Sequence, residues 1–193
     1  MALIRLTDPA SEPVTLAEAK EWVRETTDDS NVLLQSLIKV ARENAENYCH
    51  RAIPEAQFQL TLDQFPPQID LPMPRVKQID SVQYYDEAGV LTLLDSAGYT
   101  LDNSSWISNW LYPAVGYEWP ETWDAPNGVI VTYTAGFTAA QMPESLKLWI
   151  KLMIGAWYDT RSGMDVAPLP MNAFELPPGF LHANIAPWIV PNF

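Results

Sequence analysis

The chain has 193 residues, with 24 acidic against 11 basic side chains, a formal charge of −13, 48% hydrophobic residues, 17 prolines and one cysteine. A charge of this sign argues against gripping nucleic acid by its phosphates or docking on anionic lipid, and the lone thiol Cys49 makes neither an internal disulfide nor a cysteine-based zinc cage. Apolar runs fall short of the roughly 20 residues that span a bilayer. Arg5 is followed too soon by Asp8, Pro9 and Glu12 for a cleavable secretion signal. The expectation is a folded protein made and kept in a reducing compartment, with no membrane partner.

Proline divides the chain. It is absent from Val14 to Ile53 and from Glu144 to Ala167, so helices are expected in those windows. Thr15-Leu16-Ala17-Glu18 has capping-box spacing and predicts a short helix to about Glu25. Leu34, Leu37, Ile38, Ala41, Ala45, Tyr48 and Cys49 then recur at helical spacing, with Lys39, Arg42, Glu43 and Glu46 on the other faces. A third helix is expected from Pro143, carrying Leu146, Trp149, Ile150, Met153, Ile154, Trp157 and Tyr158 and ending near Arg161 and Gly163.

Between the helices the period changes to two. Phe58, Leu60 and Leu62 alternate with polar residues, and Val129 to Thr134 is a β-branched run. Ile79, Val82 and Tyr84 lead into the turn Asp86-Glu87-Ala88-Gly89, with a return strand at Leu91 and Leu93. The class read from this pattern is α+β: a small bundle of three main helices with a β-rich insertion between helices two and three and an extended C-terminal arm. The boundaries are 1–53 for the N-terminal helical part, 54–142 for the β-rich insertion, 143–163 for the closing helix and 164–193 for the Pro-rich arm. The arm interleaves six prolines with Leu169, Phe174, Leu176, Phe180, Leu181, Trp188, Ile189 and Phe193, more apolar surface than a disordered tail carries.

Chemistry-bearing patterns are few. His50 and His182 are the only histidines, and no metal-ligand spacing, Gly-rich phosphate loop or Gly-x-Ser-x-Gly occurs, so no catalytic, metal or cofactor residue is expected. Cys49 and His50 adjoin, but neighbouring helical positions diverge by about 100° and do not form a nucleophile–base pair. Carboxylate pairs such as Asp28-Asp29 and Asp86-Glu87 read as turn formers before acid/base pairs. The aromatic cluster Trp106, Trp110, Tyr112, Tyr117, Trp119 and Trp123, beside Glu118, Glu121 and Asp124, suits core or interface. A sugar-binding or hydrolytic platform is its rival reading. No basic residue stands between Lys77 and Lys147.

Several segments in order resemble the head–tail connector family of tailed bacteriophages. They are Leu16-Ala17-Glu18-Ala19-Lys20, Leu37-Ile38 with Ala41-Arg42 and Ala45-Glu46, Arg51-Ala52-Ile53, Leu60 to Pro66, Leu71-Pro72, Ile79 to Asp86, Tyr99, Val131 to Phe137, Pro143, and Trp157-Tyr158 with Arg161. The resemblance runs from about Thr15 to Gly163 and leaves the Trp106 to Trp123 loop and the tail unaligned. It implies a non-enzymatic virion protein of the neck, made in the bacterial cytoplasm. A ring, usually of twelve copies, would seat beneath the portal at the capsid vertex, receive stopper or tail-completion proteins and pass DNA through its lumen without sequence preference.

On that reading both flanks of the subunit need apolar surface, because a closed ring uses a heterologous contact. Weak self-association in solution is expected, with closure on the portal template. The arm residues Phe174, Phe180, Leu181, Trp188, Ile189 and Phe193 are expected to dock on the portal or an adjacent subunit. Trp106, Trp110, Trp119 and Trp123 are candidate interface aromatics. Asp86, Glu87, Asp95, Asp102 and Glu118 are candidates to line the lumen and repel DNA. Another neck or tail-completion role is the remaining alternative.

Overall fold

A computed structural model describes residues 1–124, 126–159 and 180–191, with only the backbone of 180–182. The expected arm residues Phe174 and Phe193 and the side chains of Phe180 and Leu181 lie outside the described residues, as do Arg161 and Gly163. The chain forms two compact units, one made of Met1–Ala10, His50–Thr138 and Val190–Phe193 and the other of Ser11–Cys49 and Ala139–Ile189. The class is mixed helix and antiparallel sheet.

The first unit holds eight described strands: β1 (Ala2–Arg5), β2 (Ala56–Leu62), β3 (Ile69–Leu71), β4 (Val76–Tyr85), β5 (Leu91–Leu93), β6 (Tyr99–Asp102), β7 (Asn109–Pro113) and β8 (Val129–Ala135). They make a five-stranded sheet in the order β1-β2-β8-β4-β5 and a three-stranded sheet in the order β3-β7-β6. Every pairing is antiparallel. Alternation along β2 and β8 turns Phe58, Leu60, Val131 and Tyr133 inward, where they join Ile69, Leu71 and Leu111 of the smaller sheet in one buried cluster. The strands expected at β2, β4, β5 and β8 are present. β1, β3, β6 and β7 were not expected. Ala2–Arg5, placed with the helices by the reading of 1–53, is a strand whose alternation puts Leu3 and Arg5 on the core side of the sheet beside Leu60 and Phe58.

β8 ends at a tight crossing. Gly136 has φ +121°, and a Cβ there would stand 2.4 Å from the Pro54 carbonyl oxygen. Phe137 N–H donates to Ile53 O at 2.8 Å, and Glu55 N–H to Phe137 O at 3.2 Å. Only glycine fits so near a second backbone at that φ.

The second unit holds α1 (Leu16–Val23), α2 (Asn31–Cys49), α3 (Glu144–Asp159) and α4 (Phe180–Ile185). Thr15 and Glu18 form the expected capping box, and α1 stops at Arg24, which takes a left-handed φ of 58°. Val14, Ala19, Leu34, Ile38, Ala41, Ala45, Leu146, Ile150 and Ile154 are buried, so α1, α2 and α3 bury their stripes among themselves. Two features depart from the sequence reading. Arg42 and Glu46, assigned to polar faces, are buried, and Tyr48, assigned to the core stripe, is 48% exposed. The burial is tolerable because Arg42 donates to Glu46 at 2.8 Å and Glu12 at 2.9 Å, leaving no lone charge inside. The described arm is also not extended: residues 180–188 form α4 and a 3-10 turn, with Ile185 buried. An apolar side chain with its own helix to cover it folds back for the same reason that the other stripes pack.

Candidate interaction surfaces

The turn Asp86-Glu87-Ala88-Gly89 closes the β4–β5 hairpin. Asp86 Oδ1 accepts from Ala88 N–H at 3.0 Å and Val90 N–H at 2.9 Å, and Gly89 supplies φ +75°. Trp123 wraps over this turn: its N–H donates to Tyr85 O at 3.0 Å, and its ring lies against Gly89. Glu87 meets the carboxyl of Glu121, with Asp86 beside it, and this hydrogen bond and repulsion raise its pKa. Asp95 caps the 3-10 turn Ser96–Gly98 by accepting from Ala97 N–H at 2.9 Å. Asp102 is lowered in pKa by hydrogen bonds from the Ser104 hydroxyl, 2.6 Å, and N–H, 3.0 Å. Glu118 is exposed. Three of the five candidate lumen carboxylates, Asp86, Asp95 and Asp102, therefore shape turns.

The four candidate tryptophans do not share one platform. Trp106 is 58% exposed on the loop before β7. The Arg75 guanidinium lies 5.1 Å from its ring and 4.6 Å from that of Phe137, and Arg51 Nη2 donates to the Trp106 carbonyl at 2.8 Å. Trp110 is half-buried in β7 opposite Asp70 and Asp102. Trp119 stacks on Phe65, centroids 4.7 Å apart and planes 5° from parallel. Trp123 belongs to the hairpin turn. Each of the four tryptophans thus has its own described neighbours.

A cleft of about 550 Å³ in the β unit is lined by His50, Asp70, Met73, Ile107, Trp110 and Val190, among others. Burial raises the pKa of Asp70. The polar side chains of its lining are His50, Asp70 and Ser108, and the Ser108 hydroxyl is directed to Ser105 Oγ at 3.4 Å. Among the described residues no group of three or more His, Cys, Asp or Glu is placed to hold a metal, and no helix is long and apolar enough to cross a membrane.

In the helical unit Trp188 Nε1 donates to Ser145 Oγ at 2.9 Å, and Ile189 is half-buried. Trp188, expected on a partner, is bound to the chain's own α3. The surface that sequence reasoning missed is on α2, where Leu33, Val40 and Tyr48 are exposed at intervals of seven and eight. That spacing, on the flank of the Leu34-Ile38-Ala41-Ala45 stripe, was the available signal.

The match to a known family is local. Residues 13–88 match the family model of phage gp6-like head-tail connector proteins. This agrees with the similarity read from Leu16 to Lys20, Leu60 to Pro66 and Ile79 to Asp86, and it ends short of Val131 to Phe137. The fold is that of a chain from the neck of an empty GTA particle computed with C6 symmetry: TM-score 0.79, 23% identity, 100% of this chain and 97% of that one covered. It is also that of chains from the virion of a native gene transfer agent particle, at 0.76 and 22%, and from the neck of a native GTA particle computed with C12 symmetry, at 0.75 and 21%, each with the same coverage. No curated protein matches the sequence.

Proposed function

We propose that this protein is a structural, non-enzymatic head-tail connector of a virion neck. Twelve copies form a ring that seats beneath the portal, DNA passes through the lumen, and stopper or tail-completion proteins dock below. The observation that carries this reading is the connector-family match over α1, α2 and β2 to β4. The chains sharing the fold come from particles treated with sixfold and twelvefold symmetry, and a twelvefold ring contains the sixfold operation. The finer architecture fits: a helical bundle interrupted by a β-rich insertion, with apolar side chains on the outer face of α2 for a neighbour.

A net charge of −13 and a basic-free stretch from 78 to 146 suit a channel that must let DNA slide, because no cation there releases counterions from phosphate. Glu87, whose carboxyl meets Glu121, and the exposed Glu118 are the candidate lumen groups whose side chains cap no turn, and Ile189 with the arm before it remains the candidate portal contact.

The test is to delete the gene in a producing strain and to image the wild-type particles. Expected are DNA-filled heads without tails from the deletion, and twelve copies of this chain at the portal vertex in the wild type. Complete tailed particles that lack the protein would overturn the reading.

A further inference from the structure

The five-stranded sheet has two short outer strands, β1 and β5; β1 carries one edge-blunting device, Arg5 turned to the core side over the Phe58 ring, and β5 carries neither charge nor proline. Natural edges are protected by lysine, proline, inward charge or bulges. From Gly89 to Leu94 no residue is charged and none is proline, and Arg5 is the one charge between Met1 and Thr7. Val90, Leu91 and Leu93 are 58%, 44% and 64% exposed, and Ile4 and Leu6 are 51% and 43% exposed.

The hydrogen-bond phase of each strand shows which backbone groups face outward. Leu6 N–H donates to Gln57 O, so positions 2, 4 and 6 face β2, and the N–H and C=O groups of Leu3 and Arg5 point to the outer side. On the other margin Asp86 N–H donates to Val90 O and Leu94 N–H to Val82 O, so Thr92 faces β4 and the backbone groups of Leu91 and Leu93 point outward.

The side chains of the two margins also share one face. Register links Ala2 to Thr61, Thr61 to Ile130, Ile130 to Gln83 and Gln83 to Leu93, a single row across five strands. Cross-strand partners project to the same side. Ala2 and Ile4 at one margin and Leu91 and Leu93 at the other therefore lie on the face opposite the core. Because five strands alternate in direction, β1 and β5 run the same way.

We propose that β5 of one copy adds in parallel to β1 of the next copy, so that the outer sheet continues from subunit to subunit and supplies the heterologous contact of the ring. This rests on the connector reading for the existence of the ring. The occupant is a second copy because the two margins match each other in direction and apolar face, and rotation about an axis along the strands brings one against the other.

The experiment uses the full chain in assembled particles. A panel of double variants pairs Ala2→Cys, Ile4→Cys or Leu6→Cys with Leu91→Cys or Leu93→Cys, which spans the possible registers, and the native thiol Cys49 is buried. Mild oxidation of particles is expected to give a ladder of covalent oligomers with at least one pair and none with single variants. A cross-link to a chain of another mass would assign the edge to a different partner and overturn the proposal, as would the absence of any ladder from particles that retain the ring. Wild-type necks without the protein would overturn the connector reading first. Leu93→Pro removes an outward N–H and leaves the β4 ladder intact. It is expected to melt like wild type yet lower incorporation at least tenfold, with Leu93→Lys behaving alike. Incorporation at the wild-type level by both would overturn the proposal.

Discussion

The hydroxyl of Tyr158, near the end of α3, donates to Glu25 Oε2 at 2.6 Å and so ties that helix to the turn between α1 and α2. Thr27 adds its N–H and its hydroxyl to Oε1, both at 2.8 Å. The Tyr158 bond first, then those from Thr27, hold the Glu25 carboxyl at about 2, against an ordinary 4.5. A carboxyl lowered in the folded state stabilises it fully above the unfolded value and loses that stabilisation as pH falls towards 2. The urea midpoint should be level from about pH 7 to 5 and then decline through this window. Glu25→Gln should lower it at neutral pH and make the acid decline shallower; a profile parallel to wild type would contradict the assignment.

Arg42 is a structural cation. Its side chain is 1% exposed and Glu46 beside it 4%. Burial works against its charge, and Glu46 and Glu12 outweigh that, so its pKa is raised. Arg42→Ala removes the cation beside the buried Glu46 carboxylate and should cost about 3–5 kcal/mol, whereas Arg42→Met with Glu46→Leu should recover most of it. Chemical denaturation of the three chains distinguishes a buried pair from a surface one, for which the single change would cost under about 1 kcal/mol.

Gly136 and Gly116 offer a matched comparison. Both have positive φ, +121° and +84°, but a Cβ meets the Pro54 backbone only at Gly136, and nothing stands within 4 Å at Gly116. Gly116→Ala should cost the backbone strain alone, about 1–2 kcal/mol. Gly136→Ala should cost clearly more and lower the melting temperature further. Equal melting temperatures would show that the Pro54 segment gives way freely.

Asn109 is fully buried at the start of β7 and uses both ends of its amide. Its Oδ1 accepts from Arg75 N–H at 2.8 Å and Val76 N–H at 2.7 Å, and its Nδ2 donates to the carbonyls of Ser105 and Ser108. Asn109→Ala strands two buried donors, at about 1–3 kcal/mol each. Asn109→Asp keeps the acceptor but sets a carboxylate against two carbonyls, so it too should destabilise, and increasingly as pH rises through the carboxyl range. Thermal melts at pH 4 and 7 read the difference; a pH-independent Asn109→Asp would argue against the assigned amide orientation.

Helix positions and the strands at β2, β4 and β8 were legible because their signals are local: a capping box at Thr15, proline-free windows and two clear periods. β1, β3, β6 and β7 were not, since strands of three to five residues carry little pattern of their own and exist through their partners. The dispersal of Trp106, Trp110, Trp119 and Trp123 was hidden for a related reason, because proximity in sequence says little once β6 and β7 place an intervening hairpin among them.

Composition and spacing alone determined an acidic α+β chain without a nucleophile, metal or phosphate pattern, and the order of its segments carried the connector resemblance. Only the tertiary structure decided that Arg42 and Glu46 are interior, that Trp188 returns to Ser145, and that the apolar margins at β1 and β5 share one face. Local periodicity reports which side of an element is apolar; which apolar sides find each other depends on contacts between residues far apart in the chain, whose loop-closure entropy and packing no short window contains.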